Sequence, residues 1–111
     1  MSLRDLKWSA HEKKVARAAF DKAYKEEMSR VRAATYEMVK QCKESNDIWR
    51  VHNYLREKRR EVDRKYDYRY SVLIWVFAEL ISDDLISIED LQGLSDDKIA
   101  AIKRSLEPLN E

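Results

Sequence analysis

The chain has 111 residues, 39% charged and 44% hydrophobic, with a single Gly and a single Pro. Sheet folds need turn residues that are missing here and disordered chains carry less apolar content, so the composition points to one all-α domain over 1–111. The net charge of +1 conceals a gradient, since residues 1–70 hold 19 Lys/Arg against 12 Asp/Glu and residues 71–111 hold 3 against 9; such asymmetry can steer a partner but does not by itself indicate nucleic acid.

Residues 1–8 mix charged and apolar positions without a period and read as an N-terminal arm, with neither the apolar core nor the cleavage site of a signal peptide. Ser9 and Glu12 have the spacing of a capping box, which starts a first long helix over 9–43. Its inner stripe is Phe20, Tyr24, Met28, Val31, Thr35, Met38 and Cys42, widened by Ala16, Ala19 and Ala23. Cys42 is the only cysteine, so no internal disulfide can form; this fits a reducing compartment, with the cytoplasm as the expectation. Within the stripe it reads as a small hydrophobe.

Ser45, Asn46 and Asp47 favour a turn, with Ser45 or Asp47 expected to cap a second long helix over 47–81. A connection this short makes the two helices an antiparallel hairpin. Ile48, Val51, Leu55, Val62, Tyr66, Tyr70, Leu73, Phe77 and Leu80 recur in helical steps with no Gly or Pro between them, so 47–81 reads as one rod about 50 Å long. The rest of the chain cannot cover such a rod. It reads as an elongated rod awaiting a partner, a second subunit among the candidates, with Ile48, Val51, Leu55, Arg59 and Val62 along the seam that the partner would cover. Arg59 is the difficulty in that seam, because a buried guanidinium without a partner costs several kcal/mol. Either it is paired, for instance across the dimer interface, or the stripe is locally wet.

On the adjoining face, Trp49, Asn53, Arg56 and Arg60 follow one another at helical spacing, with His52 at the flank of the stripe. Trp and Arg together make a typical interaction hot spot; the plainer reading is a Trp packed on the first helix among solvated arginines. Tyr66, Tyr68 and Tyr70, with Trp75 and Phe77, alternate too tightly to face one way, so part is expected in the core and part toward a partner. The cations Arg56, Lys58, Arg59 and Arg60 are interleaved with Glu57, Glu61 and Asp63, which favours a salt-bridged rod surface over a nucleic-acid site. The longest apolar run, 72–78, is far short of the ~20 residues of a membrane span.

Ser82, Asp83 and Asp84 interrupt the pattern. Ser87 and Asp90 cap a single turn that Gly93 can close in a left-handed conformation. Ser95 caps a last amphipathic helix bearing Ile99, Ile102 and Leu106, and Pro108 stops it. Residues 82–107 are expected to fold back on 71–81 as a small C-terminal head. There is no glycine-rich phosphate loop, no cysteine pair and no zinc-type histidine motif, and His11 and His52 are far apart, so no enzyme activity, cofactor or metal is expected.

The ordered string Asp47, Ile48, Trp49, His52, Lys58, Arg59, Val62, Asp63, Lys65, Tyr66, Asp67, Arg69, Ser71 and Val72, leading to Trp75 and Phe77, closely resembles the central region of the cyanobacterial fluorescence recovery protein family. Weaker similarity carries over most of 9–106. The resemblance implies an all-helical homodimer that binds the light-activated red form of the orange carotenoid protein, mainly through that partner's C-terminal domain. It further implies release of the partner from the phycobilisome and a faster return to the orange form, which ends quenching. The location implied is the cytoplasm, with thylakoids reached only through partners, and the carotenoid belongs to the partner. Trp49, His52 and Arg59 match positions the family uses for dimer integrity and partner contact, and Trp75 matches a head position that is usually aromatic. Partner contact is thus expected of Trp49, His52, Asn53, Arg56, Arg59, Arg60, Trp75 and Phe77. Two departures stand out: Asn53 replaces an Asp associated with activity, and Ala101 stands where a Lys is expected. A lost carboxylate removes a charge-assisted hydrogen bond, an interaction worth about 1.5–3 kcal/mol where it is made. The alternative is therefore a divergent relative or helical adaptor without action on the orange carotenoid protein.

Overall fold

The computed structural model describes residues 6–107, which form four α-helices and one 3₁₀ turn. Residues 1–5 of the expected N-terminal arm, and Pro108, lie outside them. Helix α1 runs Ala10–Lys40, ending before the expected residue 43. Its start is the capping box foreseen: the Ser9 hydroxyl accepts the Glu12 amide at 3.1 Å, and the Glu12 carboxylate accepts the Ser9 amide at 2.9 Å. The buried register is Ala16, Ala19, Phe20, Ala23, Glu27 and Val31. Tyr24 and Met28, expected inside, are 44% and 39% exposed; a carboxylate, Glu27, takes the inward place.

Neither Ser45 nor Asp47 caps the next helix. Asn46 occupies the N-cap without a side-chain bond, and Asp47 is the first residue of α2, Asp47–Lys65. The turn is instead stapled from the helix side, where one Asp47 carboxylate oxygen accepts the amides of Lys43 and Glu44 at 2.9 and 3.0 Å. Those two amides, Glu44 foremost, hold the Asp47 carboxyl below the usual carboxylate range. The hairpin is antiparallel, with Tyr24 of α1 against Tyr66 at the end of α2, and Thr35 and Tyr36, farther along α1, lining one groove with Leu55, farther back on α2.

The single rod expected over 47–81 is broken. Helix α2 stops at Lys65, residues 66–69 are non-helical, with the Asp67 and Arg69 amides donating back to the Lys65 and Asp67 carbonyls at 3.1 Å, and after a turn α3 occupies Leu73–Ser82. The tight alternation of Tyr66, Tyr68 and Tyr70 belongs to this non-helical stretch, where the rings of Tyr66 and Tyr68 both meet Phe20. All three rings join an aromatic row along α1. Phe20 lies 5.4 Å from Tyr66 and 4.7 Å from Tyr68 between ring centres, Tyr24 lies 5.2 Å from Tyr66, and Trp8 lies 5.4 Å from Tyr70. On the opposite side Arg69 pairs with Asp67 at 2.6 Å. Aromatic burial of this kind overrides a helix propensity that no Gly or Pro opposes.

The head core takes in more than the C-terminal elements. Ala16, Ala19, Phe20 and Ala23 of α1 form one wall, packed with Leu73, Phe77 and Leu80 of α3, Leu91 of the 3₁₀ turn Ile88–Leu91, and Ile102 of α4, Asp96–Leu106. Beyond this core α1 and α2 project as a two-helix rod. The molecule measures 56 × 34 × 21 Å with a radius of gyration of 17.2 Å, against about 13 Å for a compact chain of this length. Among the described residues no helix is long and apolar enough to cross a membrane.

Candidate functional site on the rod and head

Helix α2 meets α1 through Val51, Val62 and Lys65, all buried. The apolar stripe is wider than that contact, so Ile48 and Leu55 stay 47% and 39% exposed. Together with Tyr24 and Met28 of α1, Leu55 lines a shallow groove whose rim is Arg59 and Asp63. Of the five seam residues, Val51 and Val62 are therefore spent within the hairpin, and Ile48, Leu55 and Arg59 face outward. Arg59 is not buried. Its side chain is 80% exposed and its Nε lies 3.3 Å from Asp63 within the same helix, so the desolvation problem does not arise in the single chain.

The lateral face is open. Trp49 is 61% exposed and stands edge-on to His52, ring centres 6.0 Å apart; His52, Asn53, Arg56 and Arg60 are all exposed. Trp49 does not pack on α1 as the plainer reading had it. The basic segment is neutralised along its own helix, Lys58 with Glu61 at 3.2 Å and Arg60 with Glu57 at 3.6 Å, as the interleaved charges suggested. On the head, Trp75 is 45% exposed but Phe77 is completely buried in the core. Phe77 is thus corrected from a partner contact to a structural residue. The break before α3 resets the helix phase, so its side chains do not continue the rotation of α2.

Between rod and head lies a cluster of charge that the residue pattern did not single out. Lys65, 3% exposed, ends α2 with its ammonium 2.7 Å from Glu27 of α1 and 3.0 Å from Asp83 after α3. Burial opposes that charge, but the two carboxylates outweigh it and hold the lysine pKa above its ordinary value. The Tyr66 hydroxyl donates to Glu27 at 3.1 Å; burial first, then the Glu27 charge, raises its pKa well above that of a free tyrosine. A signal was present: Lys65 falls in register with Val51 and Val62, and Glu27 with Ala23 and Val31, so both charges sit in apolar stripes.

The chain matches the family model described as photoprotection regulator fluorescence recovery protein over residues 8–106. The chain belongs to the fluorescence recovery protein family. It is 41% identical over 96 residues to the fluorescence recovery protein of Synechocystis sp., covering 86% of this chain and 88% of the relative. Its fold is similar to the solved fluorescence recovery proteins of Fremyella diplosiphon, at TM-score 0.84 and 44% identity, and of Synechocystis sp., at TM-score 0.84 and 39% identity; each match covers 89% of this chain and 97% of the other. Family membership makes this chain a photoprotection-related regulator with an all-helical fold. Of the two departures noted from the family pattern, Asn53 is on the open face of α2 and Ala101 is buried at 3% exposure in the head.

Proposed function

We propose that this protein is a non-enzymatic regulator that binds the red form of the orange carotenoid protein, through that partner's C-terminal domain, and speeds its return to the orange form, ending phycobilisome quenching. Family membership over nearly the whole chain carries the reading. It acts as a homodimer, because Ile48, Leu55, Tyr24 and Met28 form an apolar strip that a single chain leaves uncovered. Trp49, His52, Asn53, Arg56 and Arg60 on the rod and Trp75 on the head supply the partner contacts, with Arg59 at the edge of the dimer strip.

No covalent chemistry is involved. A protein that accelerates a conformational return must bind the partner more tightly on the way to the compact state than in the open one. The second reading is a relative without this action, favoured by Asn53 in place of a carboxylate. Dark relaxation of photoactivated orange carotenoid protein separates the two: acceleration by this chain supports the regulator, and an unchanged rate leaves the divergent relative. For the dimer, light scattering at micromolar concentration is expected to give twice the chain mass; a monomer would remove the architecture. Trp49→Ala is expected to keep the dimer and lose partner binding.

A further inference from the structure

The buried charge cluster at the end of α2 has no part in either proposed surface, yet it lies where the two meet. Three elements converge on it. The Lys65 ammonium holds Glu27 of α1 and Asp83 beyond the end of α3. The same Asp83 is gripped through its backbone, since the Arg30 guanidinium of α1 donates to the carbonyls of Asp83 at 2.9 Å and Asp84 at 2.7 Å. On the exposed side, the neighbouring Arg64 donates to both carboxylate oxygens of Glu79 on α3, at 3.4 and 2.8 Å. The end of α2, the middle of α1 and the last turn of α3 are thus tied by directional bonds at the point where the chain leaves the rod.

Trp49 lies sixteen residues before Lys65 on a continuous helix, a lever of about 24 Å. A tilt of about 10° at the joint would move it by about 4 Å relative to Trp75 on α3. Apolar packing alone tolerates such sliding, whereas a paired buried ion demands one geometry, and this is a use to which buried ionic groups are put at some expense of stability. We propose that Lys65, clasped by Glu27 and Asp83, is a positioning residue that fixes the angle between rod and head and so the spacing of the Trp49 and Trp75 surfaces that a partner must engage together. The proposal rests on the partner reading above and adds to it the device that sets its geometry.

The test uses full-length Lys65→Met and a second variant, Glu27→Gln with Lys65→Met, which leaves no unpaired buried charge if the single change impairs folding. Each is made in a Cys42→Ser background with Ser45→Cys on the rod turn and Glu89→Cys on the head, whose thiols carry the nitroxides, diluted with unlabelled chain. Circular dichroism is expected to show wild-type helix content for the double variant. The distance distribution between the labels is expected to broaden or shift in both variants, and partner relaxation to slow by about tenfold or more, since ångström misplacement of interacting groups has effects of that order. Lys65→Arg, which keeps the charge, is expected to recover part of the rate. A distribution as narrow and as centred as wild type in the folded variants overturns the proposal, as does a changed distribution with an unchanged relaxation rate. If the unsubstituted protein fails to accelerate relaxation, the partner reading falls and the positioning role falls with it, while the distances still decide whether Lys65 sets the angle.

Discussion

The carboxylate of Glu12, at the start of α1, accepts the backbone amide of Ser95 at 2.8 Å across 83 residues of sequence. It also closes its own capping box on Ser9 and holds the buried Lys98 ammonium at 3.2 Å, so one side chain joins the N-termini of α1 and α4. Lys98 completes the arrangement by donating to the Lys7 carbonyl and sitting 4.9 Å from the centre of the Trp8 ring.

Glu12→Gln removes the charge that pairs with Lys98 and is expected to cost about 3 kcal/mol, the scale of breaking a buried pair. The substitution also changes the acid response. Burial pushes the Glu12 carboxyl up, but the amides of Ser9 and Ser95 and the Lys98 ammonium outweigh it, leaving its pKa below the ordinary value of 4.5. A depressed carboxyl contributes stability above its unfolded pKa and loses it as pH falls through the folded value. Thermal melts from neutral pH downward are expected to show a fall below pH 4.5 that is steeper in the wild type than in the variant.

At the alkaline end the non-helical tyrosine segment is expected to fail first. Burial, the main cause, lifts Tyr68 from 10.0 to about 12, and Lys65 is likewise held above its ordinary 10.5. The folded state then keeps protons that the unfolded chain has lost, so stability present below pH 10 declines as pH rises toward about 12. Tyrosinate absorbance followed together with circular dichroism is expected to show late-titrating tyrosines ionising in step with loss of helix. Complete titration near pH 10 with helix intact would contradict this.

Phe77 and Trp75 are two residues apart and are expected to behave oppositely. Phe77→Ala empties the centre of the head and is expected to cost about 3–5 kcal/mol, read from chemical denaturation. Trp75→Ala, at a half-exposed site, is expected to change stability by less than about 1 kcal/mol while weakening action on the partner.

Gly93 has φ of +114°, and a Cβ there would stand 2.7 Å from the Val15 side chain and 3.0 Å from His11 Nε2. Gly93→Ala is expected to destabilise by about 1–3 kcal/mol, with faster hydrogen exchange in the 3₁₀ turn that packs on α1. An unchanged midpoint of denaturation would show that the loop relaxes freely.

Local signals were legible wherever the chain supplied its own hydrogen-bonding groups. The Ser9 and Glu12 box, the Ser87 and Asp90 box, the Ser95 cap and the positive φ of Gly93 all stand where residue chemistry put them. The alignment of Trp49, Asn53, Arg56 and Arg60 on one face of α2 was legible from helical spacing, whereas the openness of that face, with Trp49 61% exposed, was not. The end of α2 was not, because 66–72 contains no helix breaker and Tyr66 and Tyr70 also fit one side of a helix. Their two-residue alternation was the available clue. Phe77 recurs in helical step with Leu73 and Leu80, which line the same core; only the folding of α3 back into the head decides that this stripe faces inward and not toward a partner.

Composition, capping chemistry and period were thus enough by themselves to determine an all-helical chain, a hairpin turn around 44–47, a capped head and a row of Trp and Arg along the second helix. These are properties of short stretches, set by backbone bonds and side-chain spacing within a few residues. Only the tertiary structure decided that α2 stops at Lys65, that Phe77 is core and Arg59 is surface, and that Lys65 and Glu12 are buried ion-pair centres. Each of those depends on what a distant segment places opposite: the aromatic wall of α1 for the tyrosines, Glu27 and Asp83 for Lys65, and Ser95 and Lys98 for Glu12.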